Sequence, residues 1–162
     1  MNYWAITKDD MLNGSGLRVV LWVAGCEHRC EGCHNPYTWD IEGGQKFTQD
    51  TLSELLKELG KEYIQGTTIS GGDPLHIENR NEIEQICKTI KQFCPSKDIW
   101  IYTGYKFEEV QDLKVMKYID VLVDGEFQKD LADVNIKWCG SSNQRVISVP
   151  ETLKTGKIVL ED

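Results

Sequence analysis

The sequence lacks the features that place a chain in a membrane or on nucleic acid. No apolar run approaches the ~20 residues that a bilayer-spanning helix needs. The opening stretch, MNYWAITKDDM, carries two acids and no apolar signal-peptide core, so we expect a cytoplasmic protein. Lys and Arg number 18 against 26 Asp and Glu, and the net charge is −8. Such a balance argues against tight binding to a phosphate backbone or to an anionic membrane surface.

Internal repeats and low-complexity segments are also missing. A chain of 162 residues predicts one domain, here spanning residues 1–162. Such a chain buries roughly 70% of its extended surface on folding and needs no disulfides to hold a core. Three of its six cysteines nevertheless cluster between Cys26 and Cys33. Without a secretory segment, clustered cysteines indicate metal or redox chemistry before a disulfide framework.

Strand-like and helix-like segments alternate along the chain. β-Branched and apolar runs predict strands at residues 16–25, 66–70, 98–104 and 119–125, with a candidate edge strand at 145–149. Leucine periodicity and a capping box formed by Thr51 and Glu54 predict a helix within residues 47–63. Apolar stripes predict two more helices, at about 78–93 and from Phe107 to about Met116. This alternation implies a parallel sheet with right-handed crossovers.

The unusual residues follow these predicted strands. CEHRCEGCH (26–34) follows the first strand and GGDP (71–74) follows the second. Tyr102-Thr103-Gly104 ends the third strand, and Asp124-Gly125 ends the fourth. Since the carboxyl ends of parallel strands share one edge of a sheet, we expect these motifs to meet around one pocket.

The cysteine triplet has three interpretations. A structural zinc site would need a fourth ligand, which His28 or His34 could supply, although zinc motifs usually come as two separated ligand pairs. Chance clustering of core residues fits poorly with the intervening Glu, His, Arg and Gly. A 4Fe–4S cluster held by three cysteine thiolates would leave one iron with an open coordination position.

The motifs resemble those of a known superfamily. CxxxCxxC at the end of a first strand resembles the signature of the radical S-adenosylmethionine (SAM) superfamily, and GLRVVLWVAGCEHRCEGCHNPYTW (16–39) resembles the glycyl-radical activating enzymes. ISGGDPL, IYTGY, SSNQR (141–145) and the short length narrow the resemblance to activators of anaerobic ribonucleoside-triphosphate reductases. It runs from about Asn13 to Val149. The chain departs from the pattern with Asn-Gly-Ser-Gly at 13–16, where Asp-Gly-Pro-Gly is common, and with Gly32, where many members place an aromatic residue.

The resemblance implies an α/β fold: a partial, open (β/α) barrel with a mostly parallel sheet and helices outside. A flavodoxin-like doubly wound sheet is the structural alternative. The implied cofactors are SAM and a 4Fe–4S cluster with an open iron, held by Cys26, Cys30 and Cys33. The implied reaction is reductive SAM cleavage and formation of a glycyl radical on the reductase, with an electron donor such as flavodoxin.

The resemblance also assigns roles to residues that surround SAM. Gly71, Gly72 and Asp73 are expected to contact the methionine amino group. Thr103 is a candidate partner for the ribose or the methionine carboxylate, the alternative being an ordinary strand-end turn. The segment with Gly32 and His34 is expected to border SAM mostly through its backbone. The remaining expectations are surface positions for His28 and His76, core positions for Cys87 and Cys94, and no assignment for Cys139.

Other functions remain open at this point. Within the superfamily they are an activator of another glycyl-radical enzyme, or a small-molecule enzyme of the deazaguanine synthase type. From a different class, a zinc-binding or electron-transfer module without catalysis would also use clustered cysteines.

Overall fold

The computed structural model describes residues 1–161 as a seven-stranded sheet with helices packed against it. The strands are β1 (Asn2–Asp10), β2 (Arg18–Val23), β3 (Gln45–Lys46), β4 (Gly66–Gly71), β5 (Asp98–Tyr102), β6 (Val121–Asp124) and β7 (Arg145–Ser148). The α-helices are α1 (Gln49–Leu59), α2 (Arg80–Phe93), α3 (Phe107–Val110) and α4 (Val149–Thr155). Short 3-10 helices lie at Pro36–Thr38, Lys114–Tyr118 and Lys129–Leu131.

The strand order is β3-β1-β2-β4-β5-β6-β7, and the sheet is open rather than closed. The central strands β2, β4, β5 and β6 run parallel to one another. The outer pairings β1–β2, β1–β3 and β6–β7 are antiparallel. The expected open α/β fold is therefore confirmed, but the expected mostly parallel sheet is only partly right. The antiparallel strands sit at both edges and frame a parallel centre.

One face of the sheet carries the helices. Alternate β2 residues Val19, Leu21 and Val23 share a single buried cluster with Leu55 of α1 and Ile83 of α2. Burying each such side chain stabilises the fold by about 1.5–3 kcal/mol. The opposite face holds a small cluster, built on Trp100, Val121 and Val123, with Trp138 against it. Because a doubly wound sheet carries helices on both faces, the flavodoxin-like alternative is wrong.

Several local predictions need correction. Helix α1 is capped by Thr48, whose side chain accepts from the Thr51 backbone N–H, so the capping box is Thr48/Thr51 and not Thr51/Glu54. The third predicted helix shortens to α3, because Leu113 adopts an extended backbone before the 3-10 helix at 114–118. Helix α4 was not predicted; Pro150 lies in its first turn and Gly156 ends it in the left-handed conformation.

Two further observations bear on the predictions. None of the helices within residues 1–161 is long and apolar enough to cross a membrane. Cys87 is fully buried in α2, as expected, and Cys94 is partly buried against the same core.

Candidate functional site

The carboxyl ends of the parallel strands open into a cavity of about 320 Å³. It lies where the sequence predicts that the motifs should meet. Gly32 does not line it, but the other eight predicted site residues do: Cys26, Cys30, Cys33, His34, Gly71, Gly72, Asp73 and Thr103.

The cysteine loop has no regular secondary structure between Val23 and Pro36. Left-handed backbone at Gly25, Arg29 and Gly32 bends the chain there, with φ of 102°, 55° and 77°. Within the loop, the Cys33 N–H donates to the Cys30 carbonyl at 3.2 Å. The loop thus curls so that its three cysteines face the cavity as free, partly exposed thiols.

The donor set suits an iron–sulfur cluster better than a single ion. Cys26, Cys30 and Cys33 form no disulfide, and cysteine thiolate is the standard protein ligand of such clusters. No three His, Cys, Asp or Glu side chains in residues 1–161 come together as a site for one metal ion. His34 is exposed and its ring contacts Phe127, with 5.1 Å between ring centroids.

Asp73 ties the loops of three strands together. The residue is only 1% exposed. It accepts hydrogen bonds from Thr103 Oγ1 at 2.8 Å, the Gly104 N–H at 3.0 Å and the Leu75 N–H at 2.8 Å. His28 Nε2, from the cysteine loop, lies 2.6 Å from Asp73 Oδ2. A single buried carboxylate thus links the cysteine loop, the GGDP loop and the end of β5.

His28 is not the surface residue that the sequence predicts. Its side chain is only 8% exposed, and its second ring nitrogen, Nδ1, lies 3.1 Å from Glu126 Oε1. The hydrogen bond to Asp73 raises the pKa of His28 to about 9, so the imidazolium donates to both carboxylates at neutral pH. The Tyr105 ring packs edge-on against it at 4.6 Å. His76 is buried too, so the surface prediction is wrong for both histidines.

The segment between β6 and β7 covers the cysteine loop. The Phe127 ring lies 3.4 Å from the point where a Cβ on Gly32 would stand, and it lines the cavity. Phe127 therefore places an aromatic ring beside Gly32, the position at which similar proteins often carry an aromatic residue of their own. Lys129 adds an exposed ion pair with Glu31 at 3.8 Å.

The SSNQR motif holds this covering segment in place. Gln144 Oε1 accepts from the Gly140 N–H at 2.9 Å and the Ser141 N–H at 3.1 Å, and Gln144 Nε2 donates to the Gly125 carbonyl at 2.9 Å. Asn143 Nδ2 donates to the Glu126 carbonyl at 2.7 Å. The motif thus has a structural role, because it fixes the backbone that presents Glu126 and Phe127.

A buried arginine supports the opposite wall. Arg18 is fully buried; its Nε donates to Thr68 Oγ1 at 2.8 Å and its Nη1 to the Ser15 carbonyl at 2.9 Å. Its charge is balanced by Asp98, with 2.5 Å between Nη2 and Oδ1. Thr68 Oγ1 also donates to the Asn13 carbonyl at 2.6 Å, and Asn13 lines the cavity. The Asn-Gly-Ser-Gly loop is held in this way without the proline common in similar proteins.

A second cavity of about 750 Å³ adjoins the first, and the two share Gly104 and Gly125 in their walls. Arg145 lies in it between Asp124, at 2.5 Å, and Glu108, at 2.8 Å. These hydrogen bonds to Asp124 and Glu108 raise the pKa of Arg145 further above its usual range.

Sequence reasoning missed several residues of the first cavity. His28 and Phe127 are described above, and Trp22 and Trp39 also line the wall. For His28, the one indication in the sequence of a role in the site is its place between Cys26 and Cys30. For Phe127 there was none, because its role arises from a segment that folds back over a distant loop.

Comparison with known proteins first gives the class. The model of the 4Fe–4S single cluster domain matches residues 12–147, most of the chain. The chain thus contains a domain of the 4Fe–4S single cluster family.

Individual relatives then give the particular family. The chain is 50% identical over 148 residues to the anaerobic ribonucleoside-triphosphate reductase-activating protein of Enterobacteria phage T4, covering 91% of this chain and 94% of that protein. It is 44% identical over 150 residues to the protein of the same name from Escherichia coli K12, covering 90% and 97%. The Vibrio cholerae protein of that name is 41% identical over 148 residues, covering 89% and 96%. The chain therefore belongs to the family of anaerobic ribonucleoside-triphosphate reductase-activating proteins, which confirms the resemblance seen in its motifs.

Proposed function

We propose that this protein is an activating enzyme that uses a 4Fe–4S cluster and SAM to generate a glycyl radical on anaerobic ribonucleoside-triphosphate reductase. The observation that carries the proposal is the cavity at the strand ends, which Cys26, Cys30 and Cys33 share with the GGDP loop. The names of its relatives and the 4Fe–4S domain support it. When bound, the cluster and SAM would supply one-electron cleavage of the sulfonium and a 5′-deoxyadenosyl radical.

Cys26, Cys30 and Cys33 would hold the cluster as thiolates. Burial raises the pKa of Cys26 to about 11 and also raises that of Cys30. Both thiols are therefore protonated at neutral pH before metal binds, and ligation displaces their protons. Three protein ligands leave the fourth iron open for SAM. His34 must therefore not coordinate that iron.

The GGDP loop would hold the methionine end of SAM. Gly71 and Gly72 allow close backbone approach, and Asp73 is the proposed acceptor for the ammonium group. Because Asp73 already accepts four protein donors, the ammonium would compete with Thr103 or His28 for it. A Thr103 hydroxyl released in this way would be free to bind the ribose or the methionine carboxylate.

The remaining cavity wall would contact the nucleoside. Gly32 and His34 are proposed to border it through their backbone. Phe127, which packs over Gly32 and against His34, offers an apolar surface for a purine ring.

The partner and setting form part of the same proposal. The macromolecular partner is the glycyl-radical subunit of the reductase, and the electron donor is a protein such as flavodoxin. We propose no nucleic-acid or membrane partner, a cytoplasmic location and a single radical SAM domain over residues 1–162. The curvature of a partial barrel is proposed for the open sheet.

Anaerobic reconstitution with iron and sulfide tests this function. Visible absorption and iron and sulfide analysis report the cluster; dithionite and SAM should then yield 5′-deoxyadenosine. Adding the reductase should give a glycyl doublet by electron paramagnetic resonance. Cys26→Ala, Cys30→Ala or Cys33→Ala should abolish these signals, whereas the matched Cys87→Ala should keep them, because Cys87 is fully buried in α2.

Each contrary outcome has a distinct meaning. A colourless zinc protein, or a cluster that never cleaves SAM, would contradict the proposed enzymatic activity. SAM cleavage without a radical on the reductase would point to another glycyl-radical enzyme or to a small-molecule substrate. Loss of the cluster in Cys87→Ala would overturn the ligand assignment.

A further inference from the structure

The indole N–H of Trp39 is buried and has no hydrogen-bond partner within residues 1–161. Indole nitrogen is a donor only, so an acceptor has to be supplied from elsewhere. Buried polar groups in native proteins are almost always paired, and an exception calls for an explanation. Trp39 also lines the cavity that the three cysteines face.

Backbone hydrogen bonds fix Trp39 against the start of the cysteine loop. The Cys26 N–H donates to the Trp39 carbonyl at 3.1 Å, and the Gly25 N–H donates to the Thr38 carbonyl at 2.7 Å. Thr38 is fully buried, which anchors this short ladder. Trp39 is thus held beside Cys26 by main-chain contacts.

The surroundings of the ring favour an anionic acceptor. The Arg29 guanidinium lies 5.1 Å from the centroid of the Trp39 ring. Arg29 belongs to the same cysteine loop and contributes positive charge at the indole. A sulfide or thiolate carrying negative charge would be attracted to both groups.

We propose that the Trp39 indole N–H donates a hydrogen bond to a sulfur of the 4Fe–4S cluster, either an inorganic sulfide or the Cys26 thiolate, and so raises the reduction potential of the cluster. The inference rests on the proposed function, because it requires the cluster to be bound at Cys26, Cys30 and Cys33. Hydrogen bonds to cluster sulfurs are among the factors that set such potentials. Trp39 is then a positioning and tuning residue rather than a catalytic one.

The chain offers a matched control in Trp22. Its ring lines the same cavity, but its Nε1 already donates to Thr7 Oγ1 at 2.6 Å. Trp22→Phe and Trp39→Phe therefore make the same chemical change at two positions of one cavity. Only the second removes a donor that has no protein acceptor.

The test is the midpoint potential of the reconstituted cluster, measured without SAM. Trp39→Phe should shift it to a more negative value than in the wild-type protein, and Trp22→Phe should leave it unchanged. Iron and sulfide content per chain should stay the same in all three proteins. An unchanged potential in Trp39→Phe, or a shift that occurs only after SAM is added, overturns the inference. The second result would assign the acceptor to SAM.

A measurement on the wild-type protein keeps the test independent of how well Trp39→Phe folds. With tryptophan labelled with ¹⁵N at the indole nitrogen, the reduced cluster should show a hyperfine coupling to that nitrogen, and labelled Trp22→Phe should retain it. Absence of the coupling in a wild-type protein that holds the cluster and cleaves SAM overturns only this inference. A wild-type protein that holds no 4Fe–4S cluster overturns the proposed function as well.

Discussion

Replacing Asp73 by Asn should destabilise the metal-free protein markedly, although the two side chains have nearly the same shape. Asn keeps an oxygen at Oδ1 for Thr103 and Leu75, but it puts an amide N–H₂ where Oδ2 accepts from Gly104 and His28. The partly buried Gly104 N–H then faces another donor. His28 loses its charged partner and has to become neutral to accept from the new amide.

The size of the effect follows from these two losses. A buried donor left without an acceptor costs about 1–3 kcal/mol, and replacing a charged hydrogen bond by a neutral one costs about 1 kcal/mol more. We expect the free energy of unfolding to fall by about 2–4 kcal/mol. With a slope of about 2 kcal/mol per molar urea, the midpoint should fall by about 1–2 M.

The pH dependence identifies the residue responsible. The pKa of His28 is raised from 6.5 to about 9 by the hydrogen bond to Asp73, so its contribution is fully present below pH 6.5 and is lost as the pH rises through 9. The Asp73→Asn penalty should therefore shrink between pH 7 and pH 10.

Urea unfolding of the anaerobic, reduced apoprotein measures both quantities, with exposed Asp112→Asn as the control. A double-mutant cycle with His28→Gln should show a coupling of at least about 1 kcal/mol. If Asp73→Asn costs no more than Asp112→Asn, or if its cost does not change with pH, the linking role of Asp73 is refuted.

Three further predictions concern other parts of the chain. Burial raises the pKa of Cys87 to about 12, so at pH 8 Cys87 should resist alkylation by iodoacetamide in the folded apoprotein while the partly exposed cysteines react. Peptide mapping measures the alkylation rate of each cysteine, and equal rates for Cys87 and the others would contradict this prediction. Gly71→Ala should lower the free energy of unfolding by more than about 2 kcal/mol in thermal unfolding, because φ is 104° and the new Cβ would lie 2.7 Å from the Val23 backbone. The control Gly156→Ala should cost only about 1–2 kcal/mol, because φ is 74° there but no atom lies within 4 Å of the new Cβ. Gln144→Ala should make residues 126–140 more sensitive to limited proteolysis than exposed Gln92→Ala does, and equal sensitivity would argue against the SSNQR clamp.

The central part of the fold could be predicted because its strands are short runs rich in β-branched and apolar residues and end in recognisable turns. The predicted strands overlap β2, β4, β5, β6 and β7, and two of the three predicted helices correspond closely to α1 and α2. The outer strands β1 and β3 could not be found, since β1 is mostly exposed or half-buried and β3 has only two residues. Their pairing is decided by neighbouring strands rather than by their own sequence pattern.

The candidate site shows a similar division. Strand-end motifs could be brought together from topology alone, since parallel strands share a carboxyl edge, and the cavity confirms that arrangement. Which side chains contact one another within it could not be predicted. His28 reaches Asp73 across 45 residues, and Phe127 packs over Gly32 from a loop that has no pattern of its own.

These long-range contacts explain how an irregular cysteine loop can keep one shape. The loop itself contributes little to its own stability. Arg29 adopts a left-handed backbone conformation, which is unfavourable for a residue with a side chain. Among the three cysteines of the loop, one backbone hydrogen bond is formed, from Cys33 to Cys30. The stabilising contacts come from outside: Asp73 and Glu126 bind His28, and Phe127 packs on His34. Asp73 follows β4, whereas Glu126 and Phe127 both follow β6. Because these partners sit on two other strand-end loops, loosening one loop should weaken the others. The cysteines are thus positioned by the same contacts that shape the GGDP loop, so a change in either motif should alter both metal loading and ligand binding.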